Sequence, residues 1–412
     1  MPFPPVPEQL DAIRQGALEI VPEDELARKL ERSAAADRPL VVKQGFDPTR
    51  PDLHIGHAVS IRKLRTFQEL GHQVVFVVGD STALIGDPSG RNELRPPLSE
   101  EEVRANARTY TDQVFKLLDP ERTRIEFNSS WLAPLRLAEL LRLTAQYTVA
   151  RMLEREDFAR RHAENRPISL VEFMYPLMQA YDSVALSADV ELGGSDQKFN
   201  LLVARAIQER YGQAPQVCLL MPLLRGADGR KMSKSYDNYV GLADPPGEQY
   251  GRTLSISDDL LEEWWTLASG AAGAELEEGL RLARTDPYRA KRLLAARVVA
   301  AYHGGDAAGR AAEEFDALFR RHELPAEMPE HEVDPGDPAL LPEGGTVLVA
   351  RLLARVGLAS SNSDAVRQVE QGAVAVDGEK VAGREARVAA AGEVVLQRGK
   401  RHFARVRFRP SA

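Results

Sequence analysis

The sequence is nearly devoid of cysteine: Cys218 is the only one among 412 residues. A single cysteine excludes an intrachain disulfide and a cysteine metal cluster, so we predict no protein-bound structural metal. Long apolar runs are also missing, because no segment approaches the roughly 20 residues that cross a bilayer. The proline-rich, acidic stretch 1–8 lacks the pattern of a secretory signal. We therefore expect a cytoplasmic protein without a membrane partner.

Net positive charge is lacking over most of the chain and is found only at its end. The whole sequence has a net charge of −8, whereas residues 345–412 contain 12 Lys and Arg against 6 Asp and Glu. A small basic module on an acidic body predicts a polyanionic partner for that module. A basic end that only aids solubility is the plainer alternative.

Length and hydrophobic periodicity predict more than one domain. Residues 9–36 are typical of one or two amphipathic helices, and residues 247–322 carry helical patterns only. We predict the α/β class, with a Rossmann-like parallel-sheet domain followed by an α-helical domain and a small α+β domain. The predicted segments are 1–240 for the first domain (helical insertion at about 132–187, basic loop at 226–240), 241–324 for the helical domain, 325–346 for a linker and 347–412 for the α+β domain.

The turn Leu-His-Ile-Gly-His at 53–57 lies inside a predicted βαβ unit. Residues 39–42 and 74–78 are apolar runs of the kind that form parallel strands covered on both faces. His54 and His57 therefore fall at a helix N-terminus, where unpaired N–H groups and the helix dipole favour phosphate. Gly56 would let a nucleotide approach the backbone. From this turn alone, histidines that only cap a helix are an equal alternative.

A helix further along the chain carries polar side chains on an apolar background. Tyr175, Gln179 and Asp182 are spaced to lie on one face, and burying them without partners is costly. A ligand with polar groups would satisfy them, although a partly exposed helix edge is the alternative. Asp87 follows the second strand, at the edge where open α/β sheets bind ligands.

Two further segments combine glycine with charge. A predicted short strand at 189–192 runs into Gly193, Gly194 and then Ser-Asp-Gln, where a glycine-rich strand end lets the backbone approach a ligand closely. The loop 226–240 carries Lys231 and Lys234 among glycine and serine. It is typical of a mobile basic loop, or of an ordinary surface turn.

Taken together, His-Ile-Gly-His at 54–57 and Lys-Met-Ser-Lys-Ser at 231–235 resemble the two signature motifs of class I aminoacyl-tRNA synthetases. Within that class, the chain resembles the bacterial tyrosyl-tRNA synthetases over nearly its whole length. The likeness rests on four more motifs, Gly-Phe-Asp-Pro-Thr (45–49), Gly-Asp-Pro-Ser-Gly (86–90), Tyr-x3-Gln-x2-Asp (175–182) and Gly-Gly-Ser-Asp-Gln (193–197). The basic tail is similar to the S4-like RNA-binding domain of these enzymes.

The resemblance implies an enzyme that activates L-tyrosine with ATP and transfers the tyrosyl group to the 3′ adenosine of tRNA(Tyr). ATP would be a substrate accompanied by Mg²⁺, and tRNA a partner. Residues 241–324 would form the anticodon-binding domain and 347–412 the S4-like domain. The family also implies a homodimer.

The resemblance further implies roles for individual residues. The catalytic set would be His54, His57, Thr49, Lys231, Lys234, Arg91 and Arg95. ATP would be bound by Asp47, Gly56, Gly194, Asp196 and Lys234, with Asp196 on the ribose hydroxyls. Tyrosine would be bound by Asp87, Tyr175, Gln179, Asp182 and Gln197, with Asp182 accepting a hydrogen bond from the phenol. In the tail, we predict RNA phosphate contacts from Arg367, Arg384, Lys400 and Arg401.

One position departs from the family pattern. The best-studied members have a tyrosine two residues before the glycine of Gly-Phe-Asp-Pro-Thr, where it is a second partner for the phenol. This chain has Lys43 there, as a subgroup of bacterial tyrosyl enzymes does. The departure puts more weight on Asp182 and leaves the role of Lys43 open.

Three alternatives remain at the level of sequence. A tryptophanyl-tRNA synthetase shares the fold, but Asp182, the Gly-Gly-Ser-Asp-Gln segment and the basic tail favour tyrosine. An adenylyltransferase of the same superfamily would lack the helical domain and the tail. A non-catalytic RNA-binding protein with a decayed core would not need intact histidines and lysines in both signature motifs.

Overall fold

The computed structural model describes residues 3–87, 99–233, 236–321, 328–399 and 402–409. It divides into two compact units, residues 1–309 and residues 310–412. Within these ranges, no helix is long and apolar enough to cross a membrane.

The first unit is built on a six-stranded sheet of order β1-β6-β5-β2-β3-β4. All neighbouring strands are parallel except β1, which pairs antiparallel with β6. The strands are β1 Glu19–Val21, β2 Val41–Phe46, β3 Gln73–Val78, β4 Thr123–Phe127, β5 Val190–Gly194 and β6 Val217–Met221. Strand β1 departs from the sequence prediction, which had only helices over 9–36; three residues between two helices are too few to show a strand period.

The sheet has its topological switch between β2 and β5. From β2 the chain proceeds to β3 on one side, and from β5 to β6 on the other. Strands β3 and β6 are largely apolar and buried, as expected for parallel strands covered by helices on both faces. Ligands of open α/β sheets bind at such a switch, beyond the carboxyl ends of the strands. The polar motifs of the sequence follow these strand ends.

Helices cover the sheet and extend from it. Those up to β6 are α1 Val6–Arg14, α2 Glu23–Ala36, α3 Ile55–Glu69, α4 Asp80–Ile85, α5 Glu100–Val114, α6 Ser129–Leu132, α7 Leu137–Thr144, α8 Val149–Met152, α9 Glu156–Ala163, α10 Leu170–Leu186 and α11 Lys198–Arg210. Those that follow are α12 Pro246–Leu254, α13 Leu261–Leu267, α14 Gly273–Thr285, α15 Pro287–His303 and α16 Gly305–Asp316. Buried residues from α13–α15 and from the sheet belong to one continuous hydrophobic core, with Trp264 fully buried in it.

The second unit has a hydrophobic core of its own. Its five-stranded sheet has the order β10-β9-β12-β13-β7, and β8 pairs with β11 separately. The elements are β7 Glu330–Val333, β8 Thr346–Leu348, α17 Val349–Arg355, α18 Asn362–Glu370, β9 Val374–Val376, β10 Glu379–Lys380, β11 Arg387–Ala389, β12 Glu393–Arg398 and β13 His402–Phe408. The segment 325–346, predicted as a linker, therefore contains a strand of this sheet. It was hidden because β7 is a short edge strand among Pro, Gly and acidic residues, and it pairs in parallel with the distant β13.

Candidate active site

The two histidines of the first signature motif lie at the start of α3. His54 is the N-cap residue, and its backbone N–H donates to Nδ1 of His57 over 3.2 Å. The two rings stack with 3.7 Å between centroids. Because Nδ1 of His57 accepts this bond, the proton of a neutral His57 ring is on Nε2, which makes Nε2 a donor. Such a donor suits an oxyanion.

Backbone hydrogen bonds join the end of the basic loop to the histidine turn. The backbone N–H of Ile55 donates to the carbonyl of Val240 over 3.0 Å, and that of Leu242 donates to the carbonyl of Leu53 over 2.8 Å. A Cβ on Gly56 would stand 3.0 Å from Nδ1 of His54 and 3.5 Å from Sδ of Met232. Glycine is therefore the residue that lets the loop and the histidine turn come this close.

Asp47 directly follows β2, and its side chain is hydrogen-bonded to Tyr175 of α10. Its Oδ2 accepts a hydrogen bond from the Tyr175 hydroxyl over 2.8 Å, and its Oδ1 accepts one from Oγ1 of Thr82 over 2.7 Å. Burial of the carboxyl group raises the pKa of Asp47 to about 7, against the lowering effect of the Thr82 hydrogen bond. The negative charge of Asp87 raises it further. A bound cation would favour ionised Asp47.

The helix α10 carries Tyr175, Gln179 and Asp182 toward the same region, as their spacing predicts. Asp182 is buried, with its Oδ1 accepting from Nε1 of Trp131 over 2.8 Å and its Oδ2 from Nδ2 of Asn128 over 3.4 Å. Burial raises the pKa of Asp182 to about 6, and the nearby Lys43 charge opposes that rise. Such a carboxyl group is well suited to accept a hydrogen bond from a buried hydroxyl.

The end of β5 supplies the remaining polar groups. Nε2 of Gln197 donates to Oδ2 of Asp87 over 2.8 Å. Asp196 forms an ion pair with Lys231 of the basic loop, with 2.5 Å between Oδ2 and Nζ. A Cβ on Gly194 would stand 2.7 Å from side-chain atoms of Asp196 and of Leu223, so only glycine fits without a shift.

The other predicted residues are distributed as follows. The backbone N–H of Thr49 donates to the Asp47 carbonyl over 2.8 Å, which places Thr49 directly beside the site. In the second unit, Arg367 pairs with Asp364 at 2.7 Å and Arg384 with Glu370 at 3.7 Å, both arginines being exposed. Five predicted residues lie outside the described ranges, namely Arg91, Arg95, Lys234, Lys400 and Arg401.

Comparison with known proteins decides the family. The sequence model described as "tRNA synthetases class I (W and Y)" matches residues 35–320. The tyrosine–tRNA ligase of Moorella thermoacetica is 52% identical over 405 residues, covering 97% of this chain and 96% of the relative. That of Geobacter sulfurreducens is 51% identical over 407 residues, covering 98% and 99%. The chain belongs to the tyrosine–tRNA ligase family.

A solved structure of the tyrosine–tRNA ligase family has the same fold. The C-terminally truncated mitochondrial tyrosyl-tRNA synthetase of Coccidioides posadasii superposes with a TM-score of 0.61 at 25% identity, covering 74% of this chain and 91% of that one. The predicted resemblance and the predicted α/β class are thereby confirmed. The family model alone covers tryptophan and tyrosine enzymes, whereas the full-length relatives are tyrosine–tRNA ligases.

Several polar residues of this candidate site were not identified from the sequence. They contact predicted site residues directly: Thr82, Asn128, Trp131, Glu191 and Asn200. Four of these are polar residues whose partners are distant in sequence, so no local period marks them. Trp131 does stand out as an aromatic residue that directly follows the polar run Asn-Ser-Ser, and this was the one available signal.

Proposed function

We propose that the chain is a tyrosine–tRNA ligase. It joins the carboxylate of L-tyrosine to the α-phosphate of ATP with release of pyrophosphate, and then transfers the tyrosyl group to the 3′ adenosine of tRNA(Tyr). The observation that carries the proposal is the hydrogen bond from Tyr175 to Asp47, which brings the polar face of α10 beside the histidine turn. A nucleotide and an aromatic amino acid could thus lie side by side.

The nucleotide is assigned to the ends of β2 and β5. Thr49, His54 and His57 contact the phosphates, because ring and hydroxyl donors at a helix N-terminus suit oxyanions. Gly56 and Gly194 leave room for the nucleotide against the backbone, and Asp196 accepts hydrogen bonds from the ribose hydroxyls. We also assign Asp47, which directly follows β2, to ATP binding.

The amino acid is assigned to α10 and the loops that face it. The ammonium group lies among Asp87, Tyr175 and Gln179, and Gln197 lies beside the carboxylate. Asp182 accepts the hydrogen bond of the phenol hydroxyl. With phenylalanine in the same place, the buried Asp182 would lack this partner, which costs free energy and gives selectivity.

Catalysis follows from position and charge rather than from a nucleophilic side chain. Charge grows on the phosphate oxygens as pyrophosphate leaves, and preorganised cations stabilise it. Lys231, Lys234, Arg91 and Arg95 supply that charge in our proposal. Lys231 is paired with Asp196, so binding of the ribose by Asp196 releases the lysine for the phosphates. Among the described residues, no group of three or more His, Cys, Asp or Glu is arranged to hold a metal ion, and Mg²⁺ would be held by the phosphates of ATP.

The remaining partners are a tRNA and a second copy of the chain. Residues 345–412 of the second unit, which have an excess of basic residues, contact tRNA phosphates through Arg367, Arg384, Lys400 and Arg401. The helical insertion is our candidate for the dimer contact. It exposes several large apolar side chains, namely Leu137, Leu141, Val149, Leu170 and Val171.

Amino-acid-dependent exchange of pyrophosphate into ATP tests the activity. We expect exchange with tyrosine, and charging of tRNA(Tyr) in a second assay. Exchange with tryptophan instead of tyrosine would contradict the proposal. Exchange with tyrosine but without any transfer to tRNA would indicate an adenylating enzyme of another kind.

A further inference from the structure

The position where well-studied relatives carry a tyrosine is occupied by one half of a buried ion pair. Lys43 of β2 and Glu191 of β5 are register partners on adjacent parallel strands. Nζ of Lys43 lies 2.9 Å from Oε1 of Glu191, and the two side chains are 1% and 0% exposed. A buried pair costs desolvation of both charges, so it is poor as a source of stability alone. Its location beside α10 points to another use.

Glu191 fastens α10 to the sheet. Its Oε1 also accepts a hydrogen bond from Nε2 of Gln179 over 3.1 Å, and its Oε2 accepts one from Oγ of Ser183 over 3.2 Å and another from Nε2 of Gln216. Both carboxylate oxygens therefore have partners in addition to Lys43. Gln179 and Ser183 are one turn apart on α10. The ion pair thus fixes the helix turn from which Gln179 projects.

The charge of Glu191 also determines how the Gln179 amide is oriented. An ionised carboxylate only accepts hydrogen bonds, so the Gln179 NH₂ group must face Glu191 and its carbonyl oxygen must face away. That oxygen, Oε1, accepts one bond from Nδ2 of Asn200 over 3.1 Å. An amide oxygen has two lone pairs, so Oε1 can accept a second bond from an ammonium group.

The same chain of hydrogen bonds continues to the other groups assigned to the amino acid. Nδ2 of Asn200 also donates to Oε1 of Gln197 over 3.1 Å, and Nε2 of Gln197 donates to Asp87 over 2.8 Å. Among the described residues, Lys43 makes no hydrogen bond to Asp182, the group assigned to the phenol hydroxyl. Its Nζ bonds Glu191 and the backbone carbonyl of Gln179, at 3.5 Å, whereas Asp182 is held by Trp131 and Asn128.

We propose that the Lys43–Glu191 ion pair is a positioning element for the ammonium end of the tyrosine site. It acts through Gln179, Asn200 and Gln197, and it is not a second partner of the phenol hydroxyl. The inference rests on the proposed function, because it takes tyrosine as the ligand. Lys43 holds the Glu191 carboxylate in place, Glu191 turns the side-chain carbonyl of Gln179 outward, and that oxygen accepts a hydrogen bond from the ammonium.

The test compares two ligands that differ only in the ammonium group. Binding of L-tyrosine and of 3-(4-hydroxyphenyl)propanoate to the full chain is measured by calorimetry without ATP. For Lys43→Met we expect the Kd of tyrosine to rise about tenfold and that of the deamino acid to change less than about twofold. Lys43→Arg, which keeps the charge, should restore most of the tyrosine affinity.

A matched control comes from the opposite face of the same strand. Gln44 is buried beside Lys43 in β2, and its Nε2 donates to Oγ of Ser60 over 2.8 Å. Gln44→Met should raise the Kd of both ligands equally or change neither. If Lys43→Met does not fold, Glu191→Gln serves in its place, since it keeps the shape but lets the Gln179 amide turn.

Two results would overturn the inference. One is an equal loss for both ligands, which indicates a general structural role. The other is a fall in the ratio of kcat/KM for tyrosine over phenylalanine in pyrophosphate exchange that Lys43→Arg, which keeps the charge near Asp182, does not reverse; this result would place Lys43 on the phenol. Failure of the wild-type chain to exchange pyrophosphate with tyrosine would reject the proposed function itself. Because it is seen in the wild type, it is distinguishable from the two results above, which are seen only in the variants.

Discussion

The hydroxyl of Tyr175 donates to the carboxylate of Asp47 across 128 residues of chain, over 2.8 Å. Tyr175 lies on α10, and Asp47 directly follows β2. The residue before Asp47, Phe46, packs edge-on against the ring of His57 with 5.8 Å between centroids. Helix α10 and the histidine turn therefore meet through two consecutive residues at the carboxyl end of one strand. This juxtaposition gives the site its two halves.

The phenol end should respond most strongly to Asp182→Asn. The variant loses a charged acceptor for the hydroxyl and gains an NH₂ group that can face the Trp131 indole N–H unfavourably. We expect kcat/KM for tyrosine to fall about 100-fold while that for phenylalanine changes little. Pyrophosphate exchange with each amino acid measures both values. Trp131→Phe, which removes one hydrogen-bond donor to the Asp182 carboxylate, should lower kcat/KM for tyrosine about tenfold. Equal losses for tyrosine and phenylalanine would show that Asp182 does not select the hydroxyl.

The raised pKa of Asp47 makes stability depend on pH. Its ordinary pKa is 3.8 and burial raises it to about 7, so between these values the folded state binds a proton that the unfolded state has lost. The free energy of unfolding should therefore decrease as pH rises from about 4 to about 7, by ~4 kcal/mol at most. Asp47→Asn cannot ionise and should lack this decrease.

Urea unfolding of ligand-free wild type and variant at pH 5 and pH 8 measures the effect. Asp182, whose pKa burial raises to about 6, contributes in the same direction in both proteins and cancels in the comparison. The exposed Asp11→Asn is the control and should follow the wild type. A pH dependence unchanged in Asp47→Asn would mean that this carboxyl group is ionised throughout.

Much of this site could be predicted because its residues form local patterns. The spacing of Tyr175, Gln179 and Asp182 indicates one helix face, and the glycine of the histidine turn marks a close approach. Glu191 could not be assigned, because its partners lie on β2, on α10 and before β6, and only the order of strands brings them together. Lys43 departs from the family pattern, but its role could not be predicted because its partner Glu191 is 148 positions away.

The edges of the sheets were the weakest part of the fold prediction for a related reason. Strand β1 has three residues and β7 has four, and each pairs only along one side. Strands this short show too little alternation to be distinguished from a turn. The buried central strands were located to within two residues at most ends, because an unbroken apolar run leaves few alternatives.

Lys231 should contribute to the rate more than to ATP binding. Its pairing with Asp196 is partly exposed and weak, so ATP can displace it. For Lys231→Met we expect adenylate formation to slow about 100-fold, because a cation near the leaving pyrophosphate is lost. The KM for ATP should stay level or fall, since Asp196 is then free for the ribose. Rapid-quench measurement of tyrosyl-adenylate at varied ATP separates the two constants.

The control lies one residue away. Arg230 pairs with Asp228 and stacks over the ring of Tyr236 at 4.2 Å, so Arg230→Met removes a charge from the same loop without touching Asp196. It should leave the rate within about threefold of the wild type. A higher KM for ATP with an unchanged rate in Lys231→Met would contradict the assigned role.

The helical insertion should hold two copies of the chain together. Leu170 is 80% exposed and Leu141 is 59% exposed, which is unusual for side chains of this size unless a partner covers them. The double variant Leu141→Glu/Leu170→Glu should be monomeric by light scattering at concentrations where the wild type is dimeric. Leu293→Glu, on α15 and also exposed, should remain dimeric. A monomeric wild type, or dimers in all three proteins, would rule out this surface.

The second unit should affect tRNA and not tyrosine activation. Arg367 and Arg384 are exposed, and each has a single carboxylate neighbour that a phosphate could replace. For Arg367→Gln/Arg384→Gln in the full chain, we expect the KM for tRNA to rise and its dependence on salt to weaken, by about one unit of logarithmic slope per lost phosphate contact. Pyrophosphate exchange should be unchanged.

Arg28→Gln, which removes an exposed arginine of α2, provides the control for surface charge in general. A complete deletion should begin within 322–327 and not at 345, because a cut at 345 would leave β7 without the strand it pairs with. That shortened chain should still form tyrosyl-adenylate while charging tRNA poorly. If exchange and charging fell together in the double arginine variant, the basic residues of this unit would not act through tRNA.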